Sequence, residues 1–298
     1  MEKNNKNSNQ ESFSKVSINW FPGHMAKARR EITEKLKLVD IVLEILDTRV
    51  PLSSANPMMR EILKDKPRLI LLNKANLADK RVTKEWITHF SNQGIKAIDI
   101  DLIDNYNVNK IIPACYEVLA DKIAKAKEKG YSNFKIRALV VGIPNVGKST
   151  FINTLAKRKA AVVGDKPGVT KSQTWIKINN SLELLDTPGI LWPKFENEIV
   201  AHNLALCGAI KDDILPLDDV ISYGLKFMQK YYSENLNNRY SVNITEDMEL
   251  LEVYEVIGRK RNCLIKGNEV DYERVINMVL FDLRHNKLGA MSYDRLND

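Results

Sequence analysis

"GIPNVGKST", from Gly142 to Thr150, determines how the rest of this chain is interpreted. It follows the apolar run "IRALVV" and opens the helical segment "STFINTLAK", so the pattern G-x-x-x-x-G-K-[ST] stands between a strand and a helix. Gly142 and Gly147 allow the backbone to turn its N–H groups onto phosphate oxygens at a helix N-terminus. Lys148 adds a positive charge, and Ser149 adds a hydroxyl for Mg²⁺. The residues predicted to bind the nucleotide in this P-loop are Asn145, Val146, Gly147, Lys148, Ser149 and Thr150.

Two motifs downstream complete the pattern of a nucleoside triphosphatase switch. Thr170 lies in the loop "GDKPGVTKSQTW", where a GTPase places the threonine that closes over Mg²⁺ and the terminal phosphate. The strand "LELLD" ends at Asp186 of "DTPG", where a carboxylate is suited to hold a Mg²⁺-bound water. Gly189 can offer its backbone N–H to the terminal phosphate. The predicted metal ligands are therefore Ser149, Thr170 and, through water, Asp186, with Lys148 and Thr170 assigned catalytic roles.

The motif "LLNKAN" ends an apolar run at Leu71–Asn76 and comes far upstream of the P-loop. An apolar run followed by Asn-Lys-x-acid is how GTPases hold guanine, so we predict that Asn73, Lys74 and Asn76 contact the base. An asparagine in the acidic position offers one acceptor and one donor, whereas guanine presents two donors. One lost hydrogen bond costs about 1–3 kcal/mol.

Three interpretations of Asn76 stay open. Weaker guanine binding is tolerated at cellular GTP levels, or a neighbour such as Asp79 compensates, or base specificity is loosened. Xanthine, with a carbonyl in place of the amine, suits asparagine better. The loop after "IKAIDID" also lacks a clear Ser-Ala-Lys signature.

Short β-rich runs alternate with helical segments in the first two thirds of the chain, which predicts an α/β fold with a mainly parallel sheet. After about Lys211 the apolar spacing becomes helical, with starts at Asp218, Thr245 and Asp271. The predicted strands are "VDIVLEIL", "RLILLNK", "IKAIDID", "IRALVVG", "TWIKI" and "LELLD". The predicted helices between these strands include "VTKEWITHFSNQG" and residues 108–130. We predict a disordered polar tail at 1–17, a nucleotide-binding domain at 18–208 and a small all-helical domain at 209–298.

Composition restricts the class of partner and the compartment. The net charge of +7 favours a polyanionic partner, because clustered Lys and Arg release counterions from phosphates. No apolar run is long enough to span a bilayer, so we expect no membrane. Three widely spaced cysteines make neither a disulfide framework nor a zinc ribbon, which predicts a cytoplasmic protein.

The order of the motifs, with "NKAN" first and "DTPG" last, resembles that of the circularly permuted GTPases. The phrases "WFPGHMAKARRE", "GIPNVGKST", "KPGVTK" and "DTPGILWPKFE" are similar to the ribosome biogenesis GTPase A family, and the resemblance runs from about Ile18 to the C-terminus. It implies a circularly permuted P-loop GTPase fold followed by a small helical domain. It also implies a monomer that binds GTP and GDP, uses Mg²⁺, matures the large ribosomal subunit through its rRNA and ribosomal proteins, and hydrolyses GTP when the particle stimulates it.

The resemblance also implies roles for residues that spacing alone does not assign. Ile190 follows the "DTPG" glycine and cannot orient water, and the family places this role on the histidine of "PGHM", His24 here. The alternative for His24 is a turn or rRNA contact. Similarity to potassium-stimulated GTPases implies that the Asn145 oxygen coordinates K⁺, against the alternative of a tight turn. Basic residues near both ends are candidate RNA contacts: Lys27, Arg29, Arg30, Arg259, Lys260 and Arg261.

The alternative function is a nucleotide-gated RNA-binding module whose hydrolysis is vestigial or whose base specificity is altered. Asn76 and Ile190 favour it. A P-loop kinase of small molecules is disfavoured, since Asn73 and Lys74 argue for a guanine site and no lid motif is evident in the sequence.

Overall fold

A six-stranded sheet forms the centre of the molecule. The computed structural model describes residues 22–63, 66–131, 133–158, 175–185, 197–210, 212 and 216–296, without the side chains of 22–28 and 60. Its strands are β1 (Ile41–Asp47), β2 (Arg68–Asn73), β3 (Lys96–Asp99), β4 (Ile136–Val141), β5 (Trp175–Lys177) and β6 (Leu182–Leu185). They lie in the order β3-β2-β1-β4-β6-β5, and all neighbours are parallel except β5 and β6. Each predicted strand and the mainly parallel sheet are confirmed.

The register brings the two ends of the nucleotide site to one edge of the sheet. Strand β1 pairs with β2 on one side, up to Asp47 opposite Asn73, and with β4 on the other side, up to Glu44 opposite Val141. Because parallel strands share their carboxyl edge, the base motif after β2 and the P-loop after β4 meet across β1. The reversed order of these motifs along the chain therefore leaves the geometry of the sheet intact.

Helices cover both faces of the sheet and continue beyond it. They are α1 (Pro22–Leu36), α2 (Pro57–Leu63), α3 (Lys80–Asn92), α4 (Ile111–Val118), α5 (Ala120–Glu128), α6 (Lys148–Ala156), α7 (Glu198–Leu206), α8 (Leu217–Tyr231), α9 (Ser233–Tyr240), α10 (Leu250–Lys260) and α11 (Tyr272–Arg284). None of the helices in the described part of the chain has the length and apolar character needed to cross a membrane.

The helix boundaries correct two expectations. The segment 108–130 is divided at Leu119 into α4 and α5, although Leu119 N still donates to Cys115 O at 3.1 Å and Ile123 N donates to Leu119 O at 2.9 Å. Helix α10 begins at Leu250 rather than at Thr245, because the carbonyl oxygens of Thr245 and Met248 accept from Gln229 Nε2 at 3.0 and 2.9 Å. The expected start at Asp271 is confirmed, since its carboxylate accepts from Arg274 N at 3.0 Å.

Three apolar clusters hold these layers together. One joins α1 and α2 to β1, β4 and β6 through Ile32, Leu36 and Val42, among others. A second packs α3 on β2 through Trp86 and Phe90. The third lies on the opposite face and runs without interruption from the sheet into the helices after residue 197.

The last described residues return from these helices to the sheet. Met291 N donates to Leu77 O at 3.0 Å, and Tyr293 N donates to Arg49 O at 2.7 Å. The Asp294 carboxylate accepts from Ser53 N and from Ser53 Oγ, both at 2.6 Å. This segment therefore ties the end of α11 to the loops that carry the base motif.

Candidate functional site

The P-loop closes tightly against neighbouring strands. Gly147 has a φ of 106° and caps α6, and a Cβ there would lie 2.5 Å from Asn73 Nδ2. A Cβ on Gly142 would lie 2.7 Å from the backbone oxygen of Ile45. Only glycine fits both places, so the predicted loop geometry has a steric origin.

The side chains of the loop are arranged around the start of α6. Lys148 is buried and its Nζ donates to Ile143 O at 2.6 Å, which holds the ammonium within the loop. Ser149 and Thr150 are half-buried in the first helical turn. Asn145 is exposed at the rim with a φ of 58°, and its Nδ2 donates to Gly208 O at 3.4 Å.

Asn73 joins the base motif to the P-loop. Its Nδ2 donates to Val146 O at 2.8 Å, although 73 residues separate the two in the chain. Its buried Oδ1 has no hydrogen-bond partner among the described residues, which leaves an acceptor for a ligand or water. The motif and the loop thus form one site, and that site has unused hydrogen-bonding capacity.

A buried ion cluster, which the sequence analysis did not identify, supports Lys74. Lys74 Nζ donates to Asp47 Oδ2 at 2.9 Å. Arg49 holds the same carboxylate with its Nε and Nη2, at 2.9 and 2.7 Å. Burial opposes ionisation of Asp47, but the charges and hydrogen bonds of Arg49 and Lys74 outweigh it and hold the pKa of Asp47 well below its usual range. Asp47 therefore remains ionised and holds the Lys74 side chain of the base motif in place.

Asn76 has an acidic partner, and it is not Asp79. Asn76 Nδ2 donates to Asp104 Oδ2 at 3.0 Å. Asp79 instead caps α3 by accepting from Arg81 N at 2.8 Å. Asp104 lies in the loop after β3. Sequence reasoning missed it, and the available signal was an acidic residue with no assigned role in the loop that follows "IKAIDID".

Several predicted site residues lie outside the described part of the chain. These are Thr170, Asp186 and Gly189, together with the side chains of His24 and Lys27. The backbone of His24 is in the first turn of α1.

The basic candidates differ in how they are engaged. Arg29 lies 3.5 Å from Glu61, and Arg30 lies 3.6 Å from Glu34, both at exposed positions. Arg259 and Lys260 are exposed in the last turn of α10, and Arg259 also pairs with Glu255. Arg261 is half-buried, stacks 5.4 Å from the Tyr240 ring and donates to Arg239 O.

The described residues fit Mg²⁺ and a nucleotide. The Ser149 hydroxyl stands in the first turn of α6, and Mg²⁺ prefers hard oxygen ligands of this kind. No group of three or more His, Cys, Asp or Glu among the described residues forms another metal site. The Asn73 Oδ1 without a partner and the glycine-lined P-loop leave hydrogen-bonding groups available to a ligand.

Comparisons with known proteins agree with this geometry. A family model described as a 50S ribosome-binding GTPase matches residues 137–247. The chain is 52% identical to ribosome biogenesis GTPase A of Bacillus licheniformis over 94% of its length and 99% of that protein. It is 32% identical to the protein of the same name from Thermotoga maritima, over 94% of this chain and 95% of that one. A GNP-bound crystal structure of YlqF from T. maritima matches with a TM-score of 0.60 and 27% identity, over 91% of this chain and 99% of that one. The chain is therefore a GTPase that belongs to the ribosome biogenesis GTPase A family, with the circularly permuted fold.

Proposed function

We propose that this protein hydrolyses GTP on the large ribosomal subunit, and that hydrolysis drives its release from the particle during maturation. The observation that carries the proposal is the bond from Asn73 to Val146 O, which makes one site of a guanine motif and a P-loop. The family supplies the ribosomal context. We expect the protein to act as a monomer in the cytoplasm.

The proposed site binds the phosphates with positive charge and backbone N–H groups. Lys148 and the N-terminus of α6 face the same loop, so both favour the outer phosphates. Ser149, with Thr170 and a water held by Asp186, would hold Mg²⁺, which neutralises developing phosphate charge when bound. The backbone N–H of Gly189 would contact the terminal phosphate.

Two further residues would act beside the phosphates. One would orient the attacking water, and the other would coordinate a monovalent cation. His24 would orient the attacking water once the particle orders its segment, since Ile190 cannot. The Asn145 oxygen would coordinate K⁺, and its position at the P-loop rim supports this role. Asn73, Lys74 and Asn76 would hold the base.

The exposed positions of most of the basic residues support a contact with rRNA. Arg29 and Arg30 on α1, and Arg259 and Lys260 on α10, present exposed cations to phosphates, and Lys27 precedes them in the first group. Arg261 is held by Arg239 O and the Tyr240 ring, so we expect it to maintain the shape of this surface, while its exposed neighbours contribute most of the positive charge.

The test is GTP turnover by the purified protein, titrated with large subunits and, as a control, small subunits. We expect turnover to rise with large subunits alone. The His24→Ala variant should lose this stimulation, whereas His89→Ala, on the described helix α3, should keep it. Binding of large subunits without any stimulation would favour the alternative, a nucleotide-gated binding module with vestigial hydrolysis.

A further inference from the structure

The bond between Asn76 and Asp104 changes what the base motif offers to a purine. A carboxylate can only accept hydrogen bonds, so the amide nitrogen of Asn76 must face Asp104. The donor that would oppose guanine is thereby occupied. The Asn76 oxygen, on the other side of the amide, is directed away from the carboxylate.

The loop that carries Asp104 is fixed by its own hydrogen bonds. The buried Asp101 accepts with Oδ1 from Ile103 N at 2.9 Å and from Asp104 N at 3.0 Å. Asp101 N donates to Tyr106 O at 3.1 Å, which closes the turn. The position of the Asp104 backbone is thus set before any ligand binds.

A second set of bonds ties this loop to the base motif. Ala75 N donates to Ile100 O at 3.1 Å, and Ile100 N donates to Leu72 O at 2.8 Å. Asn76 and Asp104 therefore sit on two loops that follow adjacent parallel strands, β2 and β3, at the edge where the P-loop also lies. The pair is exposed and can be reached by a base.

We propose that Asn76 and Asp104 read guanine as a pair, with Asp104 supplying the carboxylate that the base motif lacks. Asp104 Oδ2 holds the amide nitrogen of Asn76, so Asp104 Oδ1 and Asn76 Oδ1 remain as two acceptors. Guanine presents two adjacent donors, N1–H and the exocyclic amine, and these match the two acceptors. Xanthine presents a carbonyl in place of the amine and would place acceptor against acceptor. This inference rests on one part of the proposed function, namely that the bound nucleotide is GTP.

The pair makes a prediction that differs from that of Asn76 alone. An unassisted asparagine would weaken guanine binding and favour xanthine. The pair instead restores preference for guanine and makes Asp104 a residue that determines specificity. We therefore expect the full-length protein to bind GDP at least tenfold more tightly than XDP.

The experiment is calorimetric titration of the full chain and its Asp104→Asn variant with GDP and XDP. In the variant, the oxygen of the introduced amide would face Asn76 and its nitrogen would face the base. GDP affinity should fall at least tenfold and XDP affinity should rise. The Asn76→Asp/Asp104→Asn double variant exchanges the two groups and should return GDP affinity to within about threefold of the original, since it again offers the base two acceptors.

The control is Asp121→Asn, which removes one exposed carboxylate from the first turn of α5 and should change neither affinity. If Asp104→Asn matches this control while the original chain binds GDP, the inference is overturned and the GTPase proposal stands. If the original chain binds neither GDP in this titration nor GTP in a parallel one, both are overturned. Both changed residues are exposed, and unchanged circular dichroism will verify that the fold is intact.

Discussion

Replacing Arg49 with methionine would measure what the buried ion cluster contributes to stability. The Arg49 and Asp47 side chains are only 7% and 3% exposed, and the guanidinium holds both carboxylate oxygens. Arg49 Nη2 also donates to Cys207 O at 3.0 Å, which links β1 to the end of α7. Methionine fills a similar volume but removes the charge and all of these donors.

The size of the effect follows from what remains around Asp47. Removing one partner of a buried ion pair costs about 3–5 kcal/mol, because the other charge stays buried. Lys74, 26% exposed, still contacts Asp47 and keeps the loss near the lower end. We expect a decrease of about 3–4 kcal/mol in the free energy of unfolding, which corresponds to a fall in Tm of roughly 5–6 °C for a chain of this size.

Urea and thermal unfolding of the nucleotide-free protein, followed by circular dichroism, would measure this loss. Arg30→Met is the control, since the exposed pair Arg30–Glu34 should contribute no more than about 0.5 kcal/mol. The Asp47→Asn/Arg49→Met double variant should be less destabilised than Arg49→Met alone, because no charge is left buried beside an apolar side chain. A loss below about 1 kcal/mol for Arg49→Met, or a double variant as unstable as the two single changes added together, would refute the reasoning.

Three further predictions follow from buried groups. The pKa of Asp47 is lowered in the folded protein, so its contribution to stability is present above the usual carboxyl pKa of about 4 and is lost as the pH falls toward its folded-state pKa. In urea unfolding, the difference in the free energy of unfolding between the original chain and Asp47→Asn should therefore narrow between pH 5 and pH 3. Burial raises the pKa values of Cys115 and Cys207 to about 12, so neither thiol should react with Ellman's reagent at pH 8 until the protein unfolds; a rapid reaction of either would contradict the structure. Asp294→Ala leaves the donors of Ser53 without their acceptor and should lower the free energy of unfolding by about 2–4 kcal/mol, measured in the same way, whereas a surface-like loss below about 0.5 kcal/mol would contradict the role of the C-terminal segment.

The sheet and the P-loop could be predicted because their causes are local in the sequence. Apolar runs of strand length formed the strands, and the spacing of Gly142, Gly147 and Lys148 defined the loop. The partner of Asn76 could not be predicted in this way. It depends on how the loops after β2 and β3 lie beside each other, and Asp79, closer along the chain, is already used as a helix cap.

The ion cluster beneath Lys74 was missed for a related reason. Asp47, Thr48 and Arg49 follow the predicted strand "VDIVLEIL", and the sequence alone gives them no role in the site. Their role becomes visible when the register places Asp47 opposite Asn73 and brings Lys74 within 2.9 Å of its carboxylate. A buried Arg and Asp two residues apart after a strand are a signal of such a cluster, but burial is a property of the fold rather than of the spacing.

Helix α7 provides a physical route from the nucleotide to the C-terminal helices. In the sequence it follows the "DTPG" segment, and the turn just after its last residue, Leu206, is contacted from two parts of the site. Asn145 of the P-loop donates to Gly208 O, and Arg49 donates to Cys207 O. On the far side, Arg284 at the end of α11 donates to Ala205 O at 2.7 Å.

We therefore expect movement of α7 to reposition α11 when the terminal phosphate is present, because the same short turn is held from both sides. Small-angle scattering of the full chain should differ between GDP and a non-hydrolysable GTP analogue. Arg284→Gln should reduce that difference while nucleotide affinity stays the same, since Arg284 has no described contact with the P-loop or the base motif. Identical profiles for the original chain in the two nucleotides would show that α7 holds the helices in one place whatever the nucleotide. In that case the particle would have to sense GTP through the GTPase surface itself.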